Sequence, residues 1–143
     1  MIESLELKAW VVLARAMDAI SDRVKEDLRR HQLNSTEFGV LSVLYKRGDT
    51  PLQQIGDQIL ITSGSVTYVI DKLEKRGLIE RIACPSDRRV TYASLTDDGK
   101  ALMDVVYPQH IEIFKDIYGP LSNEETEQLI SLLKRVGYNA AGK

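Results

Sequence analysis

The chain has little of what catalysis, metal binding or membrane insertion requires. It carries one cysteine, Cys84, and two histidines, His31 and His110, far apart in sequence. A lone thiol cannot close a disulfide within its own chain, which fits a reducing compartment. So few Cys and His residues leave no zinc-ligand cluster, and neither a metal nor a cofactor is expected. There is no nucleophile–histidine–acid set and no glycine loop to cradle phosphate, so an enzyme reading has no support. No apolar run approaches the roughly 20 residues that span a bilayer. The first six residues, Met1 to Glu6, carry acids where a secretory leader would carry a basic segment. The expectation is a cytoplasmic protein with no membrane partner.

What is present suits a helical domain of 143 residues with a substantial core, since 43% of the residues are hydrophobic. The net charge of −2 is unlike that of many nucleic-acid binders, but the average hides a local asymmetry. Residues 72–89 hold six basic side chains (Lys72, Lys75, Arg76, Arg81, Arg88, Arg89) against three acidic ones. Residues 96–143 hold eight acidic against five basic. For phosphate attraction the local charge matters more than the total.

Apolar residues at spacings of three and four, from Leu7 and Trp10 through Met17 to Leu28, predict a long helix over 5–28. Leu33-Asn34-Ser35-Thr36-Glu37-Phe38 reads as a capping box, opening a helix that stops at Gly48. Thr50 as cap and Pro51 at the first helical position predict a short helix over 51–58. A further start at Thr62 or Ser63 leads into Val66, Val69, Ile70 and Leu73, with Gly77 as the stop and Lys75 and Arg76 placed to favour the helix dipole. The period then changes to that of two strands, around 78–83 and 90–95, with the loop Cys84-Pro85-Ser86-Asp87-Arg88-Arg89 between them. Thr96-Asp97-Asp98 opens another helix, which Pro108 should kink or split near Tyr107. Leu121 to Glu125 opens a last helix, expected to bury Leu129, Ile130, Leu132, Leu133 and Val136.

Helix, helix, short helix, helix, hairpin is the order of a winged helix-turn-helix, so the fold class is mainly α with a small β-hairpin wing. In that motif the second helix offers its first side chains to base edges in the major groove. Here those are Ser63, Ser65, Thr67 and Tyr68, all able to hydrogen-bond, while Val66, Val69, Ile70 and Leu73 face inward. An ordinary amphipathic helix would separate its faces in the same way. The hairpin tips the balance: Arg88 and Arg89 stand at a loop tip suited to a narrow minor groove, with Asp87 placed to orient Arg89.

At this point the sequence resembles the MarR-type transcriptional regulators. The resemblance rests on Val66-Thr67-Tyr68 through Leu73-Glu74-Lys75-Arg76-Gly77-Leu78 to Asp87-Arg88-Arg89 and Leu95-Thr96-Asp97-Asp98-Gly99. It implies a homodimer pinned by the first and last helices, over 5–32 and 100–138, around a DNA-binding lobe at 34–96. It further implies a repressor of a near-palindromic operator, released by a small phenolic or aromatic effector. Arg89 matches the family's wing arginine and Asp87 its partner; Ser65, Thr67 and Tyr68 match recognition-helix positions. Tyr68 departs from a commonly basic residue. The wing segment Ala83 to Arg89 is similar to that of the hydroquinone- and quinone-responsive branch.

Several residues admit two readings. Trp10, Met17, Phe38, Tyr45 and His110 either line an aromatic effector pocket at the domain junction or serve as core and dimer contacts. Cys84 is either a redox sensor, its thiol acidified by Arg81 and Arg88, or an inert small residue, as most structural cysteines are. The apolar faces over 5–28, 102–117 and 129–136 exceed the needs of one small core and favour a dimer. A winged-helix module that binds a partner protein rather than DNA is the alternative, and steep salt dependence separates the two.

Overall fold

The computed structural model describes residues 4–59 and 63–143, with the side chains of 63–65 outside that description. The elements run α1 (Leu5–Arg29), α2 (Ser35–Arg47), β1 (Thr50–Pro51), α3 (Leu52–Ile59), α4 (Ser63–Lys75), β2 (Ile79–Ala83), β3 (Thr91–Leu95), α5 (Asp97–Ile117) and α6 (Asn123–Ala140). They form two compact units, Met1–His110 and Ile111–Lys143.

In the first unit Asn34 caps α2 as the sequence predicts. Its side chain accepts from the Glu37 amide (2.8 Å) while Glu37 accepts from the Asn34 amide (2.9 Å). Gly48 ends the helix at φ 79°, a left-handed conformation that a Cβ would strain. The core gathers Leu28 from α1, Val40, Leu41 and Leu44 from α2, Ile55 from α3, Ile70 and Leu73 from α4, and Met103 and Val106 from α5. Each such side chain contributes roughly 1.5–3 kcal/mol by leaving water.

The sheet has three strands where the sequence predicts two. Its order is β1-β3-β2, all antiparallel, with Thr50 opposite Ala93 and Pro51 opposite Tyr92. Thr50 and Pro51, expected to cap and open the short helix, thus form an edge strand, and α3 begins only at Leu52. An edge position tolerates a proline that has no N–H to donate. The hairpin register runs from Ile79↔Leu95 to Ala83↔Thr91. Thr96 ties it to the next helix, its hydroxyl donating to the Gly77 carbonyl (2.6 Å) and accepting from the Gly99 amide (3.1 Å).

Two further expectations need correction. α5 runs unbroken through Pro108. Met103 and Val106, just upstream, are fully buried. α6, opened by a capping box at Ser122 and Glu125, buries none of its residues fully. Leu132 is 53% and Val136 64% exposed, and Ile130 and Leu133 are exposed as well. On α1, Leu7, Trp10 and Met17 also stand exposed.

Candidate nucleic-acid interface

α4 separates its faces as its sequence dictates. Val66, Val69, Ile70 and Leu73 are buried, while Thr67, Tyr68, Asp71, Lys72 and Lys75 are exposed. Tyr68 projects with 65% of its surface in solvent, and the Lys72 ammonium lies 5.6 Å from the centre of its ring. Of the predicted base readers, Thr67 and Tyr68 are therefore placed on the outer face; the side chains of Ser63 and Ser65 lie outside the described residues.

The wing tip is shaped by short-range bonds. The Cys84 amide donates to the Val90 carbonyl and the Val90 amide to the Asp87 carbonyl, both at 3.1 Å. Asp87 then grips Arg89 three times. Its Oδ1 accepts from the Arg89 amide (3.0 Å) and Nε (3.1 Å), and its Oδ2 from an Nη at 3.3 Å. The Arg89 side chain is nonetheless 90% exposed, so the guanidinium is oriented without being buried. The same bonds hold the Asp87 carboxyl below the usual carboxylate range, keeping it charged. Arg88 is exposed beside it.

Cys84 is half-buried, with Sγ 3.3 Å from the Ser86 hydroxyl. Hydrogen bonds from Ser86, side chain first and backbone second, push the thiol pKa down, while burial and, less, the charge of Asp87 oppose them. Arg81 and Arg88, expected to acidify it, play no part. Arg81 is turned away and spans two carboxylates of α4, Asp71 and Glu74, each at 2.6 Å. That bracket ties β2 to α4. Arg76 makes a second tie, donating from Nη1 to the Gln32 carbonyl (2.8 Å) and reaching the Glu37 carboxylate (3.4 Å). Neither tie is visible in sequence, because the partners lie 7 to 44 positions apart with no periodic pattern linking them.

The predicted aromatic set is only partly brought together. Phe38 is buried and packs against His110, ring centres 4.4 Å apart. Tyr45 donates to Asp104 (2.6 Å) and packs on Tyr107 at 5.5 Å. Trp10 and Met17 are exposed on α1. Sequence reasoning missed Asp27, a buried carboxylate whose charge acts on His110 and whose Oδ2 has no hydrogen-bond partner among the described residues.

Comparison with known proteins agrees with this geometry. The sequence model of the MarR family matches residues 33–91. The HTH-type transcriptional regulator MhqR of Bacillus subtilis (strain 168) is 49% identical, over 94% of this chain and 92% of its own. The fold is shared with Sco3205, a MarR family regulator of Streptomyces coelicolor solved in complex with DNA. That match has a TM-score of 0.88 at 23% identity and covers 98% of this chain and 94% of the other. BpsR of Bordetella bronchiseptica, whose DNA binding is regulated by 6-hydroxynicotinic acid, aligns with a TM-score of 0.79 at 26% identity. There the coverage is 91% of this chain and 98% of the other.

Proposed function

The chain belongs to the MarR family of DNA-binding transcriptional regulators, and from that premise we propose that it is a homodimeric repressor, released from a near-palindromic operator by a small hydroxylated aromatic compound. The observation that carries the DNA reading is the wing. An arginine at a loop tip, oriented by a carboxylate yet open to solvent, is prepared to enter a narrow minor groove. Thr67 and Tyr68 on the neighbouring helix are exposed for base edges, and Ser63 and Ser65 join them by position.

The dimer is supported by large apolar side chains left exposed on α1 and, separately, on α6. In a two-fold dimer the two reading helices address half-sites about 34–36 Å apart. The effector reading is supported by Phe38 and His110 packed together beside Asp27, whose free carboxylate oxygen can accept from a hydroxyl. BpsR, regulated by a hydroxylated aromatic acid, gives a precedent for that chemistry. A quinone is the second candidate, favoured by the wing segment around Cys84.

The test is a binding selection on random duplex DNA, repeated at two salt concentrations and with added phenols and quinones. The expected result is a near-palindromic motif whose affinity falls steeply with salt and falls again with one effector class. Retention of no duplex, or salt-insensitive retention, overturns the reading and favours a protein partner.

A further inference from the structure

The inner face of α4 is held by Val66, Val69, Ile70 and Leu73, all apolar. Apolar burial is non-directional, so it resists removal of the helix more than small tilts or slides. Directional bonds must fix its pose; the Arg81 bracket on Asp71 and Glu74 holds it to β2, and a separate tie holds its end to the helices beneath. At its C-terminal end one nitrogen of Arg76 meets two groups of the elbow between α1 and α2, the Gln32 carbonyl at 2.8 Å and the Glu37 carboxylate at 3.4 Å. The Glu37 side chain is 5% exposed and that of Arg76 32%. The other Glu37 oxygen is already committed to the Asn34 amide, so both are used. Gln32 sits at φ 55°, the one non-glycine residue among those described in the left-handed region. The elbow holds a strained residue, and Arg76 is bonded to it at two points.

We propose that Arg76 is a positioning residue for DNA reading: by latching the end of α4 to Gln32 and Glu37, it sets where Thr67 and Tyr68 stand against the base edges. The proposal rests on the DNA-binding reading above. The lever is long enough to matter. Thr67 precedes Arg76 by nine residues, about 13 Å along a helix axis, so a tilt of about 5° at the latch moves it by about 1 Å. A displacement of that size takes a good hydrogen bond out of range. Arg76 spends its charge inward on Glu37 and the Gln32 carbonyl, whereas Arg89 holds its own out in solvent.

Glu37→Gln gives the decisive sign. Glutamine can still accept from the Asn34 amide, so the capping box is kept while the ionic hold on Arg76 is lost. Removing a negative charge from a DNA-binding lobe should, by electrostatics alone, tighten binding. The latch requires the opposite.

The experiment measures affinity for a selected operator duplex across a salt series. It uses the full chain as wild type, Arg76→Ala, Arg76→Lys, Glu37→Gln and the double variant Arg76→Ala with Glu37→Gln, with thermal melting alongside. Arg76→Ala and Glu37→Gln should each weaken binding by about three- to tenfold with the salt slope unchanged, and the double variant should be no weaker than Arg76→Ala. Arg76→Lys, which keeps a donor for the Gln32 carbonyl, should recover part of the loss. A salt slope shallower by about one for Arg76→Ala marks a phosphate contact and overturns the proposal. Glu37→Gln binding as tightly as wild type, or lowered melting with the folded protein's affinity intact, overturns it too. If Arg76→Ala fails to fold, Glu37→Gln decides alone. Wild-type protein that retains no duplex brings down the DNA reading as well, whereas binding by wild type and variants alike brings down only the latch.

Discussion

Arg89 combines 90% exposure with three bonds donated to Asp87, from its amide, its Nε and one terminal nitrogen. As a contribution to folding this pair counts for little, because both partners face solvent and salt screens them. On the proposed function its use lies in binding, where an arginine already oriented loses less freedom when it meets DNA. Arg89→Ala should weaken operator binding by about tenfold or more and lower the salt slope by about one, read in the same titrations. Asp87→Ala should weaken binding less, although it removes a negative charge. His110 carries a different prediction. Burial pushes its pKa below the ordinary 6.5 and the Lys46 charge adds to this, while Asp27 partly opposes both. The unfolded chain therefore takes up a proton on His110 before the folded one does, and stability falls as pH drops below about 6.5. Thermal melting between pH 7.5 and 5.5 should show that loss, and His110→Phe, which keeps the packing on Phe38, should flatten it.

Elements in this fold are joined by a few tight contacts, and the start of α5 is one. Thr96 bridges the Gly77 carbonyl and the Gly99 amide, and its own amide donates to the Leu78 carbonyl. A Cβ on Gly99 would collide with that same Leu78 carbonyl oxygen. Backbone cannot step aside as a flexible side chain can. Gly99→Ala should therefore destabilise the protein by roughly 3 kcal/mol or more, measured by denaturant unfolding, because the α5 start must move off the β2 junction. By contrast, the Arg81 bracket to Asp71 and Glu74 is half in solvent, and Arg81→Ala should cost only about 1 kcal/mol of stability. Its loss should be felt more in how β2 and the wing are held to α4.

At the scale of the whole molecule, the exposed apolar residues of α1 and of α6 are the surfaces on which the proposed dimer is tested. Leu132 and Val136 are more than half exposed on α6, as are Leu7, Trp10 and Met17 on α1. Light scattering at micromolar concentration should give about twice the 16.1 kDa chain mass. Leu132→Glu combined with Val136→Glu should move the mass toward one chain and lower affinity for a two-half-site operator far more than for a single half-site. A monomeric wild-type mass would contradict the dimer.

The sequence alone determined the order of the helices and the hairpin, the inward face of α4 and the pairing of Asp87 with Arg89, because each follows from short-range periodicity, capping or turn chemistry. It also carried the family, through the run from Val66 to Gly99. It misplaced Thr50 and Pro51, whose strand exists only because β3 lies 41 residues further along to pair with them. It expected a kink or a split at Pro108 and burial along α6; the helix is not split and α6 buries none of its residues fully, since helix continuity and burial depend on what packs alongside. The bonds of Arg76 to Gln32 and Glu37, the bracket of Arg81, and the company of His110 with Phe38 and Asp27 were decided by tertiary structure. Such contacts join side chains far apart in the chain, and no local pattern specifies which charge will meet which. The Arg88–Arg89 wing was legible in the sequence; the tie of Arg76, at the end of α4, to Gln32 and Glu37 was not.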